Sequence, residues 1–290
     1  MWLLLITLFF ASAIPSYLLR RKLSVEYPNH ANAVNQFFFI VLAIVGISVG
    51  LVLGGTIFLT LKEYVMIIGV SLIWPTYQRL SYISNSRIEV GIYQLIQNTQ
   101  VIYSTLLAYF LVKEALNSNE LLAVILLLGS TLSVISVLKL PKNQVKYLWL
   151  VLLVPIAYAV GTTIEKIIIN SSSYASYILV GFTFQCLSSL IIGKFKISDI
   201  KMLATSRHKK EVFAYGITSA FKGLFLVGAN ATGKIALTNA ASSFTSILTV
   251  IAAYFFLREK ENMTRKYIAA VIGIIGLLLV RLDPSFMRIF

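Results

Sequence analysis

Lys222 and Arg79 are the residues whose chemistry fits their surroundings least. Lys222 stands near the middle of an apolar run at 211–233, and Arg79 stands towards the end of another at 63–84. If these runs cross a bilayer, a charge at the centre costs at least ~2.5–3.5 kcal/mol, so such residues are functional candidates by default. No acidic residue sits as deep by the sequence. Glu89, Glu114, Glu165 and Glu259 all fall near the ends of their runs. Two buried cations without a carboxylate point to negative charge brought by a substrate or a coupled ion. Arg grips carboxylate or phosphate bidentately and Lys acts as a point charge. Trp74, Pro75, Tyr77 and Gln78 precede Arg79 and break its run with polar and aromatic groups. Two blander outcomes stay open: a cation held by backbone carbonyls at the Pro75 kink, or a lysine buried neutral.

A second set of polar residues has helical spacing. Residues three and four apart share a helix face, and Gln94, Gln97, Asn98, Ser104 and Thr105 fall on one stripe. Asn239, Ser242, Ser243, Ser246 and Thr249 form a matching stripe. Amides facing lipid without a partner cost several kcal/mol each, so both stripes must point inward. They either line a cavity or hold helices together, each bond then contributing ~0.6–2 kcal/mol.

Other chemistries find little support. Gly228 to Lys234 (GANATGK) imitates a phosphate-binding loop, but Ile235 stands where Ser or Thr is needed and apolar runs flank it. His30 and His208 lie in loops without metal-ligand spacing, and the lone Cys186 excludes a disulfide framework. Asn170, Asn230 and Asn262 begin N-x-S/T triplets of a kind common by chance. There is no nucleophile elbow and no paired-carboxylate constellation. The sequence therefore predicts no catalysis, no metal and no cofactor. The net charge of +14 does not indicate nucleic acid, since no basic stripe is interleaved with aromatics.

The elements that must position these residues are apolar helices. The chain is 58% hydrophobic and 12% charged, against ~25% charged in soluble domains. A spanning helix needs ~20 mostly apolar residues, and ten such runs occur, at about 2–19, 33–55, 63–84, 89–112, 119–138, 146–166, 174–193, 211–233, 236–257 and 265–282. Ala11-Ser12-Ala13 resembles a signal cleavage site. No basic residue precedes the apolar run, however, and Arg20-Arg21-Lys22 follow it, which suits an anchored helix. Gly46, Gly50 and Gly54 are spaced as a small-residue packing seam. Loops after the first, third, fifth, seventh and ninth runs hold most of the 25 Lys and Arg residues. The positive-inside rule then puts both termini outside.

The chain also repeats itself. Residues 108–114 read AYFLVKE and residues 253–259 read AYFFLRE, half of the 290-residue chain apart. The same shift lays Gln94, Gln97, Asn98 and Ser104 over Asn239, Ser242, Ser243 and Thr249, and Tyr77 over Lys222. Each half, 1–140 and 141–290 with a linker from Pro141 to Lys146, has five runs. Two odd-numbered units in tandem must cross the membrane in opposite directions, giving an inverted-topology repeat with its site near the midplane between halves. The predicted fold is an all-α polytopic membrane protein of ten transmembrane helices in two five-helix inverted repeats.

The repeated tails run from LLAYFLVKEALNSNELLAVILLLGSTLSVI to VIAAYFFLREKENMTRKYIAAVIGIIGLLLV. In each, an apolar helix ends in a glutamate, Glu114 or Glu259, before a glycine-containing final helix. This pattern resembles the drug/metabolite transporter superfamily, and within it the ten-helix EamA-like transporters. The chain departs from that family in reading Thr99-Gln100-Val101 and Phe244-Thr245-Ser246 where proline is frequent midway along helices four and nine. Its first helix also lacks the frequent central tryptophan. The resemblance implies cytoplasmic termini, against the charge count. Glu114 and Glu259 are expected to be structural, pairing with Lys113, Arg258 or helix ends.

Together these readings predict a secondary transporter that moves a small polar metabolite, an anion or an amino acid, across the cell membrane by alternating access. Trp74, Tyr77, Gln78 and Arg79 would line its site with Gln94, Gln97 and Asn98 from the first half. Lys222, Asn239, Ser242, Ser243 and Ser246 would complete it from the second. The expected partners are a small-molecule substrate, the lipid bilayer and a coupled ion, with no nucleic acid. A non-transporting membrane scaffold is the alternative, followed by an intramembrane enzyme acting on lipid.

Overall fold

The computed structural model describes residues 1–87, 97–135 and 148–257, with a few helical positions between 268 and 275. The expected linker between the halves, Gln94, Glu89, Glu259 and most of the tenth run lie outside the described residues. Among the described residues there is no strand. The helices are α1 (Trp2–Glu26), α2 (Ala31–Val52), α3 (Leu61–Arg87), α4 (Gln100–Leu107), α5 (Ser118–Ile135), α6 (Leu148–Ser171), α7 (Tyr174–Ile192), α8 (Ile197–Thr205), α9 (Lys209–Thr232) and α10 (Ile235–Leu257). A π-helical turn over Ala108–Val112 extends α4 and stops at Lys113, whose φ of 64° is left-handed.

Five of these helices are long and apolar enough to cross a membrane: α1, α2, α6, α7 and α9. The length follows from the uninterrupted apolar runs, since a helix rises ~1.5 Å per residue and a bilayer core is ~30 Å thick. Pro15, Pro75 and Pro155 lie inside α1, α3 and α6, where each removes one backbone bond and weakens the helix locally.

The helices pack in defined pairs. α1 lies along α9, α2 along α7, and α3 against both α6 and α7; α2 also meets α9, α4 meets α6 and α10, and α1 meets α10. In lipid, close approach and hydrogen bonds replace the hydrophobic drive between helices. Gly46 and Gly50 supply the first at the α2–α7 seam. A Cβ built on Gly46 would lie 2.6 Å from the Ile178 carbonyl oxygen, and one on Gly50 2.8 Å from Leu179 Cβ. Gly54 is different, with φ +75° in the turn after α2 and nothing near it. Between α1 and α9 the Ser16 and Ser219 hydroxyls meet at 2.7 Å. The Trp2 indole donates to Thr238 Oγ1 at 2.9 Å and fixes the start of α1 on α10.

Three boundaries differ from the sequence expectation. The first helix does not stop before Arg20 but runs to Glu26, because Arg20 turns inward and donates to the Gln78 carbonyl at 2.9 Å. The sixth continues past Lys166 to Ser171 because the ammonium of Lys166 finds the carbonyls of Asn230 (2.5 Å) and Gly233 (2.9 Å) at the end of α9. The basic stretch from Lys194 to Lys210 contains α8, which rests against α9 and α2 and buries Leu203.

Candidate functional site

A cavity of about 60 Å³, room for a few water molecules, lies where α1, α2, α3, α6, α7 and α9 converge. Its walls are mainly aromatic. Trp74, Tyr77 and Tyr158 form a mutual cluster with ring centroids 5.3–5.5 Å apart, Trp74 standing edge-on to both tyrosines. Such edge-to-face contacts are favoured by the ring quadrupole and keep the rings rigid. Phe9, Phe38, Phe39 and Phe182 close other sides.

Into this apolar space project Gln78, Glu165, Gln185, Ser219 and Lys222. The Glu165 carboxylate is 1% exposed. Its Oε1 accepts from the Trp74 indole at 2.8 Å and from the Tyr177 hydroxyl at 2.5 Å, and Gln185 in turn donates to the Tyr177 oxygen at 3.1 Å. Its Oε2 has no hydrogen-bond partner among the described residues, and neither has the side-chain oxygen of Gln78. Lys222, 9% exposed, rests its ammonium 4.8 Å from the centroid of the Tyr17 ring, a cation–π distance. No ion pair within 4 Å joins Lys222 to Glu165 among the described residues.

Of the residues singled out in the sequence, Trp74, Tyr77, Gln78 and Lys222 come together in this cavity. Arg79 does not. Neighbouring residues on a helix point about 100° apart, so Arg79 is exposed and lines a separate recess with Asn32, Asn35 and Gln36. The buried cations among the described residues are Lys222, Lys166 and Arg20, the last 3% exposed. The expectation that no carboxylate lies deep is corrected by Glu165. One signal was available for both: position 20 and position 165 are half a chain apart, so equivalent places carry a basic and an acidic group. Gln185 was legible as the one amide in the apolar seventh run. Tyr17, Tyr158 and Tyr177 carried no signal that separates them from packing tyrosines.

The two polar stripes meet each other. Gln97 donates to Gln100 Oε1 at 2.6 Å, and Gln100 Nε2 reaches both Ser242 and Ser243 at 3.3 Å, bridging α4 and α10. Asn239 donates weakly to Thr162 at 3.4 Å. Asn98 is buried and its amide has no partner among the described residues. Of Ser246 only the helical position is described. None of these residues lines the aromatic cavity; α6, which carries Tyr158 into the cavity wall, also packs against α4.

At the end of the bundle where α9 turns into α10, charges cap the helices. Glu114 accepts from the Ile235 amide at 2.9 Å and lies 3.7 Å from Lys166; Lys234 pairs with Glu120 at 2.5 Å. Glu114 thus binds a helix end, with Lys166 as its cation in place of Lys113. No group of three or more metal-ligating side chains occurs among the described residues.

No family model matches the chain, and no curated protein does. A solved structure described only as "Crystal structure of protein" is similar at a TM-score of 0.68, with 17% identity over 96% of this chain and 98% of its own length. At that identity the likeness concerns the fold alone.

Proposed function

We propose that the protein is a multi-pass secondary transporter of the ten-helix EamA-like kind, moving a small polar metabolite across the cell membrane by alternating access. The observation that carries this reading is the central cavity, built from both halves of the chain, with charged groups buried against aromatic walls. Buried ionisable residues inside a bundle mark substrate and ion pathways more often than packing.

The helix pairings support two inverted repeats. Exchanging α1 with α6, α2 with α7, α3 with α9 and α4 with α10 turns the α1–α9 contact into α6–α3. The same exchange turns α3–α7 into α9–α2, and α4–α6 into α10–α1. Both members of every pair occur. Repeats of this sort carry their sites between the halves, and the cavity that Glu165 and Lys222 both line takes its walls from both halves of the chain.

The experiment is flux into proteoliposomes. Vesicles holding purified protein and preloaded with a metabolite should accumulate the labelled compound faster than protein-free vesicles, and Lys222→Gln should abolish the difference. Binding of a compound without any flux of it would leave a membrane scaffold or receptor as the reading.

A further inference from the structure

We propose that Arg79 holds the phosphate of an acidic phospholipid, at the recess where α2, α3 and α7 meet. The proposal is independent of what the central cavity carries. Exposed positions on α3 recur at Val65, Ile68, Leu72, Thr76 and Arg79, three or four residues apart, which makes one stripe of the helix. The apolar part of that stripe suits acyl chains. It ends in a guanidinium that no carboxylate pairs with among the described residues. The recess beside Arg79 is lined by Asn32, Asn35 and Gln36, all in the first six residues of α2, and by Ile192 and Gly193 at the end of α7. At ~1.5 Å of rise per residue it lies within about 8 Å of the start of α2, close to the depth of phospholipid phosphates.

The recess supplies the rest of the site. Asn35 and Gln36 are 4% and 2% exposed, and the Asn35 amide and the Gln36 Nε2 have no hydrogen-bond partner among the described residues. Asn32 is engaged on the Gly193 carbonyl at 3.3 Å, which ties α2 to α7 at the rim. Buried donors without acceptors are costly, and about 10 Å³ gives room for about one water. A phosphate is too large to enter. It rests at the mouth, gripped by the planar fork that a guanidinium offers to phosphate oxygens, and a water inside relays the Asn35 and Gln36 donors to it. The neighbourhood favours a lipid over a free anion. Lys194 follows Gly193, and Lys194, Lys196 and Lys201 are exposed on and just before α8. Phe195 and Ile197 stand among them, 44% and 75% exposed. Apolar groups set among lysines suit a membrane surface, and the lysines draw acidic headgroups to it.

The test is a titration of purified, delipidated protein in detergent, read as the shift in unfolding midpoint. The probes are phosphatidylglycerol, phosphatidylcholine of the same acyl chains, whose choline offsets the phosphate charge, and inorganic phosphate. Phosphatidylglycerol should bind roughly tenfold tighter than phosphatidylcholine, and inorganic phosphate at the same concentration should give no shift. Arg79→Gln should remove the preference, while Arg79→Lys, which keeps the charge and loses the fork, should retain part of it. Lys62→Gln makes the same change of charge at the opposite end of α3 and should leave the preference intact. Equal binding of the two lipids overturns the proposal, as does a preference that survives Arg79→Gln. Stabilisation by inorganic phosphate equal to that by phosphatidylglycerol overturns the lipid as the source of the phosphate. Should Arg79→Gln misfold, Arg79→Lys and the wild-type series still decide the matter.

Discussion

Two buried polar layers sit side by side in this bundle, and they have opposite character. Between α4 and α10, Gln97 donates to Gln100 and Gln100 in turn donates to Ser242 and Ser243. Between α3, α6, α7 and α9, the donors converge on one oxygen of Glu165 and leave the other bare, while Lys222 has an aromatic face for a neighbour. The first layer ties α4 to α10 through these bonds, although the amide of Asn98 beside them has no partner among the described residues. The second is open and therefore waits for something. Polarity inside a bundle does not by itself mark a site; an unpartnered polar group that borders a cavity is the stronger sign.

The largest effect that would sharpen this contrast is on flux. Glu165→Gln should reduce transport by about two orders of magnitude, from loss of a charged hydrogen bond of ~1.5–3 kcal/mol, while the melting temperature of the apo protein stays level or rises. A large fall in melting temperature instead would make Glu165 a structural acid and erase the distinction between layers. Next in size is the α2–α7 seam. Gly46→Val places side-chain atoms where a Cβ alone already meets the Ile178 carbonyl at 2.6 Å. Overpacking of this kind costs about 1–3 kcal/mol, readable as a lower unfolding midpoint in detergent. Gln100→Leu should cost only about 1 kcal/mol of stability, in the range of interhelical hydrogen bonds, and leave flux within about twofold. If flux collapses there, the amide layer belongs to the site after all. Smallest is the Lys22–Glu211 pair, 2.8 Å long and 45% and 27% exposed. Lys22→Gln should change stability by at most about 1 kcal/mol, less at high salt.

The residues read most surely from the sequence are those whose chemistry clashes with an apolar run. Trp74, Tyr77, Gln78 and Lys222 were found that way. Glu165 was not, because hydropathy alone ends the sixth run at the Glu165–Lys166 pair. The helix goes on because the Lys166 ammonium is hydrogen-bonded by carbonyls contributed from α9, a tertiary fact with no local trace. Arg20 was assigned to a loop for the same reason. Arg79 illustrates the reverse error: it shares a helix with Gln78 but not a face. For the amide stripes, periodicity established that they point inward. It carried no information on whether they meet water, a ligand or each other, since all three demand the same spacing.

The clasp formed by Lys166 and Glu114 has a consequence for how the two halves are joined. An ammonium lies on the carbonyl end of α9 and a carboxylate on the amide end of α10, each opposing the partial charge its helix presents there. The tail of the first half and the turn of the second are thereby joined by a fastening that is electrical, set against the glycine seam of α2 and α7, which is purely steric. Both charged groups of the clasp are largely buried, so dissolved ions screen this fastening far less than they screen the exposed Lys22–Glu211 pair. At this end of the bundle, the first half is therefore held to the turn between α9 and α10 by a bond that salt in the surrounding water barely weakens.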